Sequence, residues 1–200
     1  MRLGVYGGTF DPIHVGHLAA AEEAAYRLGL DQVLFVPAGR QPLKDREPGA
    51  TGQDRLAMIE AAIAGNPRFG VSAIELERPA PSYTVETLRF LRQSHGPACE
   101  LFLLVGVDAA NTLQRWRGPA EILRLARLVV MSRGARAEPD WGMLEGIAAD
   151  ARQRVDLLAV PDIDVSASEI RRRAAAGEPF RYQVVDAVWE YIQSHGLYRQ

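Results

Sequence analysis

Two histidines three residues apart, His14 and His17, close the run Gly7-Gly8-Thr9-Phe10-Asp11-Pro12-Ile13-His14-Val15-Gly16-His17. A short apolar stretch, Leu3 to Tyr6, precedes it, and an alanine-rich segment of helical character, Leu18 to Leu28, follows. Strand, glycine turn and helix start together make an arrangement that holds phosphates. Glycines let the backbone approach an anion, and a helix N-terminus offers unpaired N–H groups at its positive end. An imidazolium in that first turn faces the wrong end of the helix dipole, so it calls for a compensating anion such as a polyphosphate. The other two histidines read differently. His95 and His195 each occur as Ser-His-Gly at a predicted helix end, where histidine meets the negative end of the dipole and glycine supplies the cap.

Other residues of chemical interest are scattered along the chain. Lys44 lies in a polar loop spanning residues 38 to 50, long enough to suggest a function, although a solvated lysine is the ordinary alternative. Ser82-Tyr83-Thr84 and Gly106-Val107-Asp108 each precede a helix, so Ser82, Thr84 or Asp108 can equally serve as a cap. Trp116 follows Leu113 at helical spacing, as a core aromatic does, yet Arg115, Arg117 and Gly118 give it a polar setting. Arg133 follows a strand and competes with an exposed-arginine reading. Val165-Ser166-Ala167-Ser168-Glu169-Ile170-Arg171 puts serines at a helix start and an arginine one turn later, a second anion site or a plain serine cap.

The elements that must position these residues alternate regularly. Strands are predicted at Leu3–Tyr6, Gln32–Val36, Phe69–Leu76, Glu100–Val105, Leu128–Met131 and Val155–Val160. Helices are predicted near 15–28, 52–64, 84–94, 119–126, 141–152, 168–176 and 182–194. Gly29 stops the first helix, Thr51 with Asp54 forms a capping pair, and Pro119 takes an N1 position. Strands separated by crossover helices predict an α/β fold with a doubly wound parallel sheet. In such sheets ligands bind beyond the carboxyl ends of the strands. Gly8–His17, Lys44, Asp108, Arg133 and Ser166–Arg171 all follow predicted strands, so one edge collects them.

Composition narrows the class. The 200 residues suit one domain, read as residues 1–200 with a small helical cap from about 168. A net charge of −2, with Arg171-Arg172-Arg173 as the densest basic cluster, argues against a nucleic-acid partner. The lone Cys99 excludes an internal disulfide and a multi-cysteine zinc site, and it reads as a buried thiol. Leu3–Tyr6 is too short for a signal core and no apolar run reaches membrane length, so a cytoplasmic protein without a membrane partner is expected. No heptad or interface run indicates an oligomeric state.

Residues Gly7–His17 resemble the nucleotidyltransferase motif of nicotinate- and nicotinamide-nucleotide adenylyltransferases, Gly-Gly-Thr/Ser-Phe-Asp-Pro-x-His-x-Gly-His. The resemblance extends to Pro42-Leu43-Lys44, where Leu43 replaces a frequent histidine, and to Ser82-Tyr83-Thr84, Gly106-x-Asp108, Trp116 and Ser132-Arg133. Residues 165–171 are similar to Ile-Ser-Ser-Thr-x-Ile-Arg, with Ala167 in place of a serine. It implies a Rossmann-like nucleotidyltransferase that transfers AMP from ATP to nicotinate mononucleotide, giving deamido-NAD and pyrophosphate. The implied catalytic groups are His14, His17, Lys44 and Arg171, without a covalent intermediate. ATP is expected on Gly8, Thr9, Phe10 and the histidines, on Gly106 and Asp108, and on Ser166, Ser168, Ile170 and Arg171. Nicotinate mononucleotide is expected on Gly7, Lys44, Tyr83, Thr84, Trp116 and Arg133. Mg²⁺ is expected to arrive on the ATP phosphates rather than in a protein cage. Nicotinamide-mononucleotide, pantetheine-phosphate and cytidylyl transfer are the enzyme rivals, and a nucleotide sensor without turnover is the non-enzymatic one.

Overall fold

The computed structural model describes residues 1–39, 47–79, 81–133 and 138–199. Its elements run β1 (Arg2–Gly8), α1 (Val15–Arg27), β2 (Gln32–Pro37), α2 (Gly52–Ile63), β3 (Phe69–Val71), α3 (Ile74–Glu77) and α4 (Thr84–His95). They continue with β4 (Glu100–Gly106), α5 (Val107–Ala110), α6 (Pro119–Leu125), β5 (Arg127–Arg133), α7 (Trp141–Ile147), α8 (Ala151–Arg154), β6 (Val155–Val160), α9 (Ala167–Ala176) and α10 (Asp186–Ser194). The six strands form one sheet in the order β3-β2-β1-β4-β5-β6, and every pairing is parallel. This is a doubly wound sheet whose strand order reverses between β1 and β4.

Strand alternation explains why helices cover both faces. Along β4, Phe102 and Leu104 join one buried cluster while Leu101, Leu103 and Val105 join the other. Residues on β5 divide likewise, with Val129 and Met131 against Leu128 and Val130. The first cluster takes apolar residues of α1, α2, α9 and α10, and the second takes those of α4, α6, α7 and α8. A parallel strand buried on both faces must be apolar almost throughout, which is what the run Leu101–Val105 supplies.

Local signals behave largely as expected. Thr51 and Asp54 exchange capping hydrogen bonds at the start of α2, Gly29 adopts a φ of 56° after α1, and Pro119 opens α6. Three expectations need correction. The third strand ends at Val71, and Ile74–Glu77 turns into a short helix. β3 is an edge strand paired only through Phe69–Val71, so nothing extends the ladder to Leu76. The predicted 141–152 helix is two short helices, with Ala148 closing the first and Asp150 opening the second. Gly7 and Gly8 belong to β1 itself rather than to a turn after it.

Candidate active site

Phosphate-binding potential is concentrated where α1 begins. His14 is its N-cap residue, and the His14 backbone N–H donates to His17 Nδ1 at 3.3 Å. That bond uses Nδ1 as an acceptor, so the neutral His17 ring carries its proton on Nε2. The two imidazoles stack with centroids 3.6 Å apart. Phe10 supports His17 from the side at 5.1 Å, within a cluster of Tyr6, Phe10 and Phe35 rings. Gly8 is required there, since a Cβ would come within 2.8 Å of the Phe10 ring.

Burial and the neighbouring Arg133 hold His14 down to about 4. Burial, His14 and Arg133 also hold His17 well below the usual histidine range. Both shifts favour the neutral rings. An anion bound beside the pair would oppose these shifts and favour the imidazolium form invoked from the sequence. The buried Nδ1 of His14 has no hydrogen-bond partner among the described residues. An orphaned buried polar atom normally has a partner not yet counted.

The histidines line a cavity of about 340 Å³ together with Thr9, Phe10, Asp11, Arg133, Ser166, Ser168 and Arg171. Ser166 is the N-cap of α9 and accepts from the Glu169 N–H at 3.2 Å. Arg172 is committed to Glu169 and Glu178, and Arg173 to Glu169. Of this basic triplet, Arg171 alone lines the cavity. Its Nη2 donates to Ser168 Oγ at 3.3 Å and its Nη1 to the Asp11 carbonyl at 2.6 Å.

A second cavity, about 490 Å³, opens on the other side of the β1 end. Tyr6, Gly7, Gly8, Tyr83, Thr84, Gly106, Asp108, Arg115, Trp116 and Arg117 line it, and Thr9 borders both spaces. Gly7 and Gly106 leave open space where a Cβ would project, with no atom within 4 Å of either position. Arg117 packs over the Tyr83 ring at 4.6 Å, and Trp116 Nε1 donates to Thr112 Oγ1 at 3.3 Å. Tyr83, not Ser82 or Thr84, is the N-cap of α4, and it offers no side-chain cap. Ser82 instead donates to the Glu75 carbonyl at 2.9 Å. Gly106, not Asp108, is the N-cap of α5.

Most of the expected residues meet at these two cavities, but their division differs from the sequence reading. Arg133, expected with the mononucleotide residues, lines the histidine cavity. Gly8, Gly106 and Asp108, expected with ATP, line the Trp116 cavity. Ile170 is fully buried, so its side chain belongs to the core and not to either space. Lys44 lies outside the described residues. Among the described residues no group of three or more His, Cys, Asp or Glu is arranged to hold a metal ion.

Two contributors escaped the sequence reading. Arg55 is buried in α2, and its Nη1 donates to the Thr9 carbonyl at 2.8 Å and the Ala38 carbonyl at 2.9 Å. It thereby joins the segments that leave β1 and β2. A signal for it existed: Arg55 shares one helical face with Met58, Ile59 and Ile63, where an arginine needs a buried partner. Tyr198, whose hydroxyl donates to Asp11 Oδ1 at 2.8 Å, carried no such signal.

Comparison with known proteins fits this geometry. A family model described as cytidylyltransferase-like matches residues 5–173. A protein of Roseiflexus sp. (strain RS-1) named "Probable nicotinate-nucleotide adenylyltransferase" is 49% identical over 198 residues, covering 98% of each chain. The chain belongs to the nicotinate-nucleotide adenylyltransferase family. A second member of the nicotinate-nucleotide adenylyltransferases, from Thermomicrobium roseum, is 46% identical across 99% of this chain and 92% of its own. The fold also matches the Plasmodium falciparum nicotinic acid mononucleotide adenylyltransferase complexed with NaAD. That match has a TM-score of 0.77 at 18% identity, over 98% of this chain and 97% of the other. No described helix is long and apolar enough to cross a membrane.

Proposed function

We propose that this protein transfers the AMP moiety of ATP to nicotinate mononucleotide, forming deamido-NAD and pyrophosphate, a step of NAD biosynthesis. The observation that carries the proposal is the pair of dissimilar cavities bordered in common by Thr9. One is rich in phosphate donors, the other in flat and aromatic surface. Two nucleotides placed in them meet at the end of β1.

In this reading the phosphate oxygen of nicotinate mononucleotide attacks the ATP α-phosphorus in line. The bond from that phosphorus to the bridging oxygen breaks, and pyrophosphate leaves. No base is needed, because the attacking phosphate is already ionised. Catalysis of this kind rests on positioning and charge stabilisation. His17 donates from Nε2 and His14 stands beside it, both toward oxygens of the reacting phosphates. Ser166, Ser168 and Arg171 hold the β- and γ-phosphates, with Arg133 at the same cavity. The backbone at Thr9 and Phe10 supports the chain of phosphates, with Gly8 on the side of the second cavity. Lys44 is proposed to neutralise charge between the two substrates. Mg²⁺ would reach the site with the ATP phosphates and would supply neutralisation of their charge.

In this reading Gly106 and Asp108, which line the Trp116 cavity, serve the mononucleotide, and the Asp108 carboxylate suits ribose hydroxyls. Trp116 offers its face to the pyridine ring, which is cationic in the mononucleotide. Nicotinate is favoured over nicotinamide by a physical argument as well as by the relatives' names. The N-terminus of α4 lacks a side-chain cap at Tyr83, and its first-turn amides lie at the Thr84 edge of the cavity. An anionic carboxylate suits such a helix start better than a neutral amide. The whole chain is read as one domain, because α9 and α10 share a buried cluster with α1, α2 and the sheet.

The substrate choice is tested by kcat/KM with nicotinate and nicotinamide mononucleotide side by side. A preference of roughly tenfold or more for nicotinate is expected, corresponding to about 1.4 kcal/mol of anion–helix interaction. Equal values for the two would refute the helix-start argument.

A further inference from the structure

Asp11 belongs to the motif after β1 and borders the histidine cavity, yet its carboxylate is fully engaged within the protein. It is 3% exposed and receives the Gly49 N–H at 2.7 Å, the Ala50 N–H at 3.0 Å and the Tyr198 hydroxyl at 2.8 Å. Arg171 Nη1 stands 3.5 Å from the same carboxylate while bonding the Asp11 carbonyl at 2.6 Å. Four segments far apart in sequence thus converge behind Arg171: the motif, the start of α2, α9, and the segment after α10.

The segment after α10 is built to deliver Tyr198 there. His195 stacks on Tyr191 with centroids 3.9 Å apart, and its Nδ1 lies 2.9 Å from the Tyr191 carbonyl. Gly196 turns the chain with a φ of 61°, and Tyr198 itself adopts a φ of 65°, in the left-handed region that a tyrosine rarely occupies. Tyr191 fixes the base of this turn, its hydroxyl donating to Asp54 Oδ1 at 3.0 Å on α2. At Gly49 a Cβ would sit 3.1 Å from the Tyr198 ring and 3.3 Å from the Arg171 side chain, so ring and arginine pack over the same backbone point. A sparsely populated backbone conformation persists where its surroundings over-determine it.

We infer that Tyr198 is a positioning residue for ATP: by holding the Asp11 carboxylate it fixes Arg171 against the β- and γ-phosphates. This rests on the assignment of Arg171 to those phosphates. The hydroxyl remains a donor, because burial and the facing Asp11 carboxylate push its ionisation well above the usual tyrosine range. Tyr198 touches no substrate itself. Its effect is transmitted through two side chains to one end of one substrate, and this makes the inference separable from a general role in folding. A tyrosine that only stabilised the fold would affect both substrates alike.

The experiment is a double-mutant cycle on the full chain with Tyr198→Phe, Arg171→Ala and the combination. KM is measured separately for ATP and nicotinate mononucleotide, and thermal melting is recorded. Phenylalanine keeps the ring packed over Gly49, and assays are run well below the melting temperature of each variant. Y198F is expected to raise the ATP KM by roughly three- to tenfold, less than the full loss of one hydrogen bond to a charged group because Tyr198 acts on the substrate only through Arg171. The mononucleotide KM should stay within about twofold, and Y198F should have no further effect in the R171A background. Equal shifts in both KM values, or multiplicative effects in the double variant, would overturn the inference. An unchanged ATP KM in R171A refutes the phosphate assignment of Arg171 itself. An R171A defect that Y198F does not share refutes only the role given to Tyr198.

Discussion

Replacing His17 by alanine should lower kcat by roughly 10²–10³, the range that follows loss of one donor to developing oxyanion charge. The effect should fall on kcat more than on KM for ATP. Negative charge grows on the oxygens around the α-phosphorus as the reaction proceeds, and a donor aimed there acts mainly in the transition state. His17 is prepared for this by its neighbours. The His14 N–H occupies its Nδ1, and the stacked ring at 3.6 Å together with Phe10 limits its rotation. The fold should tolerate the change, because the loss is one helix-capping contact worth about 1 kcal/mol. For a chain of this size that corresponds to a fall in Tm of roughly 2–4 °C. Kinetics and melting together therefore separate the two roles. A variant with near wild-type kcat would remove His17 from the mechanism.

Asp11→Ala should act on the fold with comparable force. The substitution deletes a carboxylate with 3% exposure and strands two backbone N–H groups, a phenol and the neighbouring guanidinium of Arg171. Leaving such groups buried without their charge partner costs about 3–5 kcal/mol. The expected drop in Tm is on the order of 10 °C. Contrast comes from the exposed pairs on α9. Arg172 with Glu178, although only 2.7 Å apart, is solvent-exposed on both sides, and Glu178→Ala should change stability by at most about 1 kcal/mol. If D11A melted within a degree or two of wild type, the Asp11 cluster could not be holding the segment after α10 to the site.

The fold was largely legible because its signals are local. Strand-length apolar runs, caps at Thr51 and Pro119, and a glycine stop at Gly29 each depend on a few neighbouring residues. The failures have the opposite character. Whether Val71 continues as strand depends on what lies beside it, and an edge position gives β3 a partner on one side only. Ile74–Glu77 can then close into a helical turn.

Site legibility follows the same division. The Gly7–His17 motif is contiguous, so its phosphate character could be read directly. The assignment of residues to the two cavities could not, because Arg133 and Asp108 both follow strands and only the packing decides which side each one serves. Asp11 and Tyr198 are 187 residues apart, and no spacing rule connects them. Arg55 is the intermediate case: its place on an apolar helix face was visible, but the carbonyls of Thr9 and Ala38 that satisfy it were not.

The central claim is that two nucleotides react across the end of β1. Pyrophosphate release from ATP by the purified protein, with and without nicotinate mononucleotide, tests it most directly. The account predicts release that depends on the mononucleotide and matches deamido-NAD mole for mole, with no release when ATP is given alone or with phosphopantetheine. ATP binding without any release in the presence of nicotinate mononucleotide would contradict it and leave the protein a nucleotide sensor.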